Sequence, residues 1–125
     1  MNQLSTRVRE VADEIYTGRV IRDGMVAVLY SPGFGAGWST WSGEYGDEIL
    51  FDPWIVDIIM SDSYNKDEKI QRILAHCAVK YPDLYTGGVE QLTVEWIPQG
   101  TAFRITDYDG NESIEYRDMT DWTIA

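Results

Sequence analysis

The fold of this chain is decided by residues 25–41, MVAVLYSPGFGAGWSTW. The first five residues form an uninterrupted apolar run, which is typical of a central β-strand covered on both faces. The rest is rich in glycine and aromatic residues and predicts a loop. Glycine lets another molecule approach the backbone amides closely, and flat rings offer stacking surfaces for a base or a sugar. We therefore expect a ligand pocket where the strand runs into this loop.

The candidate ligand-binding residues combine close backbone approach, a hydroxyl group, stacking rings and one arginine that would offset a phosphate charge. They are Ser31, Gly33, Phe34, Gly35, Gly37, Trp38, Trp41 and Arg104. The glycines alternate, which matches neither the dinucleotide-binding fingerprint nor the P-loop. The alternative is that the loop is an aromatic-cornered turn that packs onto the sheet, and the sequence leaves both interpretations open.

Helical patterns precede and follow this stretch. Apolar residues at spacings of three and four favour a short helix over residues 6–16. A second helix is predicted from Pro53 to about residue 61, because Asp52 is a good capping residue and proline suits the first helical position. Asn65 can cap a third helix over about 66–80, which has a continuous apolar face.

Strand patterns dominate the last third of the chain. Well before that third, residues 48–51 are a short apolar run that predicts a strand or a turn. Alternation with period two follows over 92–96 and 103–105, and the turn at 109–111 predicts a hairpin into 113–116. We interpret these last strands as an antiparallel meander.

Together the elements predict a compact, single-domain α+β fold. Its antiparallel sheet would carry the C-terminal meander, with the two central helices packed on it and the short N-terminal helix added. Residues 1–24 would supply that helix and a turn to the same unit, and residues 25–125 would form the ligand-binding domain.

Charge and composition limit the function classes. The 125 residues include 21 acidic and 10 basic ones, for a net charge of −11. Such a surface repels nucleic-acid polymers and anionic membranes, so we expect neither as a partner. A small phosphorylated ligand remains compatible if a few arginines converge. No signal peptide or membrane-length apolar run is recognisable, so a cytoplasmic protein is expected.

Few residues could carry chemistry. The single cysteine, Cys77, excludes an intrachain disulfide, and with the single histidine, His76, it excludes Cys-based or His-rich metal sites. Adjacent helical residues point about 100° apart, so we interpret this pair as a core cysteine beside a boundary histidine. No nucleophile–base pair is recognisable, and we expect no cofactor, no metal and no enzymatic activity. The acidic residues Glu44, Asp47 and Glu48 fit a solvated loop.

Arg104 has two interpretations. It lies on the strand face opposite the apolar residues 103 and 105, and together with Arg117 it could grip a phosphate. Alternatively, these arginines form salt bridges with Glu95 and Glu115 on neighbouring strands.

Several stretches, taken together, resemble a known group of proteins. They are residues 30–41, 50–53 (LFDP), 96–100 (WIPQG), 103–105 (FRI) and 108–115 (YDGNESIE). Over about residues 25–125 the chain resembles small phage- and prophage-encoded accessory proteins. It is also similar to the first family of Thoeris anti-defence proteins, the nucleotide sponges. That resemblance implies a homo-oligomer in the host bacterial cytoplasm that binds a cyclic nucleotide or ADP-ribose-derived immune signal without cleaving it.

Two hypotheses for function follow. In the first, the protein sequesters such a signal, with the glycine amides, Phe34, Trp38 or Trp41, and Arg104 as its contacts. In the second, it is an acidic inhibitor that occupies a basic site on a host defence factor. Weakening by salt separates the two, since a broad acidic interface responds more steeply to ionic strength than a desolvated pocket. A nucleotide hydrolase would need a metal site or catalytic pair that the sequence does not display.

Overall fold

The computed structural model describes residues 18–116, except for the side chains at positions 44 and 47. The predicted helix over 6–16 and the candidate phosphate ligand Arg117 lie outside the described residues. Within them, the α+β class is confirmed: strands and helices pack around one another in a compact unit.

The first sheet contains three antiparallel strands, with the predicted central strand in the middle. These are β1 (Ile21–Arg22), β2 (Met25–Tyr30) and β3 (Thr93–Pro98), in the order β1-β2-β3. Met25 of β2 pairs with Pro98 of β3, and Tyr30 pairs with Thr93. Strand β2 therefore has a partner at both edges as well as cover on both faces.

The last two strands form a hairpin of their own. Strands β4 (Phe103–Tyr108) and β5 (Asn111–Tyr116) pair as a two-stranded antiparallel sheet. Asp109 and Gly110 form its turn with φ of 55° and 85°, as an Asp-Gly hairpin requires. The predicted hairpin is confirmed, but the pairing within the expected meander differs, because β3 pairs with β2 and not with β4. Period-two alternation identifies a strand and leaves its partner open.

Three helices connect the strands in the described region. A turn of 3₁₀-helix at Gly43–Tyr45 leads into α1 (Gly46–Phe51), which is followed by α2 (Pro53–Met60) and α3 (Lys66–Lys80). Both predicted caps are present, with Asp52 capping α2 and Asn65 forming a capping box with Glu68 at the start of α3. None of the helices within 18–116 is long and apolar enough to cross a membrane.

Residues 48–51, expected to form a strand or a turn, are instead the end of α1. Four apolar residues carry no periodicity that distinguishes a strand from a helix. Packing decides the outcome, since Ile49 is fully buried with the helices while Leu50 and Phe51 face the hairpin side of the sheet.

The core lies on both faces of β2. Ala27 and Leu29 pack with the helices, whereas Val26 and Val28 pack with Ile97 and with the apolar residues of the hairpin. This division follows from strand geometry, because successive side chains point to opposite faces. The hairpin thus covers one face of the sheet and the helices cover the other, and a groove remains where these layers meet.

Candidate functional site

The glycine loop, residues 31–41, is bound to the turn of the β4–β5 hairpin. The amide of Gly33 donates to Asn111 Oδ1, that of Gly35 to the carbonyl of Asp109, and that of Gly37 to the carbonyl of Gly110, each at 2.7 Å. The contact is close: a Cβ on Gly110 would lie 2.9 Å from the nitrogen of Gly35. The amides expected to face a ligand are therefore already used by the protein itself.

The polar groups of Ser31 likewise form hydrogen bonds within the protein. Its side chain is buried, and both its amide and its hydroxyl point at the carboxylate of the buried Glu112. The hydroxyl oxygen also accepts a hydrogen bond from the amide of Trp38 at 2.9 Å. Ser31 therefore stabilises the loop from inside and presents no group to a ligand in this conformation.

The two candidate tryptophans have opposite environments. Trp38 has no exposed surface, packs in the core with the helices and donates its indole N–H to the carbonyl of Ile49 at 3.2 Å. The predicted ligand contact at Trp38 is therefore corrected to a packing role. Trp41 is 42% exposed, and its indole N–H donates to Asp107 Oδ2 at 3.2 Å.

An exposed group of rings surrounds the junction of loop and hairpin. We call it the aromatic patch, and it consists of Phe34, Trp41, Tyr85 and Tyr108. Phe34 meets Tyr108 edge to face with 6.0 Å between ring centroids, and Trp41 lies 5.5 Å from Tyr85. Much of this loop is therefore a turn with aromatic corners that packs onto the protein, as the alternative interpretation predicts. The rings of Phe34 and Trp41 remain accessible to solvent.

A groove lies beside the loop, between the hairpin and helices α1 and α2. This groove has a volume of about 910 Å³ and is bordered by two phenylalanines and by the hydroxyl residues Ser39 and Thr40. Its two phenylalanines, Phe51 and Phe103, meet edge to face at 6.2 Å. The volume lies at the upper end of the range of about 300–1,000 Å³ for small-molecule sites.

Cations converge on this groove. The lysines and arginines of the described region are Arg19, Arg22, Lys66, Lys69, Arg72, Lys80 and Arg104. Arg19, Lys80 and Arg104 all line the groove, together with the acidic residues Glu48 and Asp52. In a chain of net charge −11, three of these seven cations thus border a single groove.

Each of these cations has an intramolecular partner. The guanidinium of Arg19 lies 4.0 Å above the ring of Phe51, and Lys80 Nζ lies 3.4 Å from Asp52 Oδ2. Arg104 Nε donates to Glu115 Oε1 at 2.6 Å. This contact is the cross-strand salt bridge that the second interpretation of Arg104 predicts. Both side chains of that pair are well exposed, and such pairs contribute at most about 1 kcal/mol. A ligand phosphate could therefore compete for Arg104.

Asp52 lies at the centre of a polar cluster at one end of the groove. The sequence did not indicate this cluster. Asp52 Oδ1 caps helix α2 by accepting from the amides of Trp54 and Ile55 at 2.9 and 3.1 Å. Its Oδ2 lies 2.9 Å from His76 Nε2 and also accepts from the hydroxyl of Tyr81. The cap was recognisable from the Asp-Pro pair, whereas the second set of partners comes from a helix about 25 residues later.

The protonation states within this cluster follow from burial and hydrogen bonding. Burial raises the pKa of Asp52, but hydrogen bonds from Tyr81 and His76 outweigh it, and the net pKa is lowered. Burial and the Asp52 charge raise the pKa of Tyr81 far above its usual value. The same two causes raise the pKa of Cys77 to about 11, so its thiol stays protonated near neutral pH.

An Asp–His pair can orient an imidazole for acid–base catalysis. The surroundings of the Asp52–His76 pair instead indicate a structural hydrogen bond between α2 and α3. The imidazole stacks on Trp54 with 4.5 Å between centroids and 10° between planes, and no nucleophile of the described region bonds to it. Trp54 is 40% exposed and forms one side of this stack. Among residues 18–116, no group of three or more His, Cys, Asp or Glu side chains could hold a metal ion.

Comparison with known proteins adds no further information. No family model, no curated protein and no solved structure gives a significant match to the chain. The groove, the aromatic patch and the loop–hairpin junction are therefore the features of the molecule that bear on its function.

Proposed function

We propose that this protein binds a small anionic, nucleotide-like molecule in the groove and retains it without cleaving it. The observation that carries the proposal is that Arg19, Lys80 and Arg104 all border one cavity of a protein with a net charge of −11. In this proposal the ligand is a cyclic nucleotide or ADP-ribose-derived immune signal, as the resemblance to the sponge family implies. Sequestering it in the bacterial cytoplasm would inhibit the host's anti-phage defence, with the protein acting as a homo-oligomer.

The groove offers different groups to different parts of such a ligand. Arg104 is an accessible cation, since its side chain is 71% exposed and its pair with Glu115 is readily exchanged. The hydroxyl of Ser39 bonds to no other residue of the described region and could meet a ribose or a phosphate. Phe103, half-buried at the groove, provides apolar contact for a base.

The first test is a capture experiment. Purified protein is mixed with a panel of cyclic nucleotides and ADP-ribose derivatives, removed by filtration and then denatured by heat, and both fractions are analysed by mass spectrometry. A nucleotide depleted from the filtrate and recovered intact on heating supports the proposal. Recovery of a converted product would make the protein an enzyme, and depletion of none of the compounds would contradict nucleotide binding.

A matched pair of variants locates the site once a nucleotide is captured. Arg104→Ala removes a charged hydrogen bond donor from the groove and should weaken affinity about tenfold or more. Arg22→Ala is the control, because Arg22 is a similarly exposed arginine, paired with Asp57 at 3.6 Å and outside the groove. Equal losses in both variants would indicate a general charge effect and contradict binding at the groove.

The aromatic patch favours a second candidate function. Its four exposed rings are bordered by the exposed carboxylates of Asp107 and Asp109, and no cation of the described region stacks on any of them. A basic protein segment would satisfy both features, since arginine stacks on aromatic rings and pairs with carboxylates. This is the hypothesis of an acidic inhibitor acting on a host factor. Binding to such a partner should weaken steeply with salt and should be lost in Tyr108→Ala.

A further inference from the structure

The carboxylate of Glu112 lies in a binding site made entirely of backbone amides and hydroxyl groups. Its Oε1 accepts from the amide and the hydroxyl of Ser31 at 3.0 and 3.3 Å. Its Oε2 accepts from the amides of Ser39 and Thr40 at 3.0 and 2.9 Å, and from the hydroxyl of Thr40 at 2.7 Å. Five donors from one loop thus converge on a single carboxylate.

Within residues 18–116, no positively charged side chain pairs with this carboxylate. Glu112 is 1% exposed, and none of the ion pairs between described residues includes it. A buried charge is tolerated only where hydrogen bonds replace its hydration. Here successive amides of the loop act together as an anion-binding concavity of the kind that holds phosphates in other proteins.

We propose that residues 31–40 form an oxyanion receptor whose resident ligand is the chain's own Glu112, and that this occupied receptor holds the β4–β5 hairpin in place. The ligand class is a carboxylate, because each of its two oxygens faces at least one backbone N–H and must accept. The backbone completes the contact, since the amide of Glu112 donates to the carbonyl of Ser31 at 3.1 Å. A free carboxylate should therefore bind the receptor when the resident side chain is removed.

The receptor also connects the loop to the groove. Ser39 and Thr40, which hold Oε2, border the groove on one side. Phe103 and Arg104 of β4 border it on the other, and β4 is paired with the strand that carries Glu112. Glu112 is thus a positioning residue, since it fixes the hairpin wall of the groove without contacting the cavity itself.

The experiment is chemical rescue of Glu112→Ala. Leaving several buried donors without acceptors should lower the melting temperature by about 5–10 °C. Sodium acetate has the carboxylate and the adjacent carbon that alanine lacks, and at concentrations on the order of 100 mM it should restore at least half of the loss, since so small a ligand binds weakly. Sodium chloride at equal ionic strength and neutral acetamide should restore much less.

A control variant and a second measurement complete the test. Glu90→Ala removes an exposed carboxylate and should show neither the loss nor the rescue. If Glu112→Ala does not fold, hydrogen exchange of the unaltered protein decides the question: the amides of Ser39 and Thr40 should exchange as slowly as those of the central strand. An unchanged melting temperature in Glu112→Ala, equal rescue by acetamide or chloride, or rapid exchange at both amides would overturn the proposal. No nucleotide enters these measurements, so their outcome is independent of what the groove binds.

Discussion

Two buried carboxylates hold two junctions of this molecule, and they do so with different kinds of partner. Asp52 joins helix α2 to helix α3 through His76, Tyr81 and Lys80, all of which can change their protonation or position. Glu112 joins the hairpin to the glycine loop through two hydroxyl groups and three backbone amides, and the amides can only donate. The first junction can adapt when its carboxylate is altered, and the second cannot.

The largest effect on stability should come from replacing each carboxylate side chain by the corresponding amide side chain. In Glu112→Gln, the new NH₂ group must face at least one fixed backbone N–H, so we expect a loss of about 2–3 kcal/mol in the free energy of unfolding. In Asp52→Asn, Oδ1 can still cap α2 while the NH₂ group donates to the hydroxyl of Tyr81 or to a neutral His76. That loss should be about 1 kcal/mol.

Urea unfolding of both variants and the unaltered protein, monitored by tryptophan fluorescence, measures the difference. Glu90→Gln is the control, since it makes the same chemical change at an exposed site and should change stability by less than about 0.5 kcal/mol. Equal losses in Glu112→Gln and Asp52→Asn would show that burial alone, and not the nature of the partners, sets the cost.

The pH dependence of stability should separate the junctions further. The pKa of Asp52 is lowered in the folded protein, so its contribution is present above its ordinary pKa of 3.8 and is lost as pH falls below that value. The pKa of Tyr81 is raised, so its contribution is complete below its ordinary pKa of 10.0 and is lost as pH rises above that value. Stability should therefore decline at both extremes of pH.

Unfolding measured across pH tests these two signs separately. Asp52→Asn should flatten the acidic decline, and Tyr81→Phe should flatten the alkaline one. Tyr116, whose pKa is raised to about 12 by partial burial and by Glu95, contributes to the alkaline decline as well, so Tyr116→Phe is the appropriate comparison. An alkaline decline that is as steep in Tyr81→Phe as in the unaltered protein would contradict the assignment to Tyr81.

The two junctions also differ in how much of them the sequence reveals. The Asp-Pro pair marks the start of α2 because capping is local, and Asn65 marks α3 for the same reason. Glu112 is recognisable only in part: strand alternation places it on the same face as Ile114, which indicates an inward orientation. Its partners lie more than 70 residues earlier in the chain, and no local pattern connects them.

The glycine loop shows the same limit. Trp38 and Trp41 give identical sequence signals, yet one fills the core and the other lies at the surface. The glycine amides suggest a ligand site because they permit close approach, and the molecule that approaches is the turn of the hairpin. The glycines do permit a close approach to the loop, but the sequence could not show that part of the same chain makes that approach.

The smallest effect should come from single hydroxyl groups at the two junctions. Thr40→Val removes the 2.7 Å bond to Glu112 while keeping the shape of the side chain, and should cost about 1 kcal/mol. Thr40→Ser keeps the hydroxyl and should recover much of that loss. Tyr81→Phe removes a hydroxyl from Asp52, which retains His76 and Lys80 as adaptable partners, so near neutral pH it should cost no more than Thr40→Val. A clearly larger loss in Tyr81→Phe would reverse the comparison and make Asp52 the less adaptable of the two carboxylates.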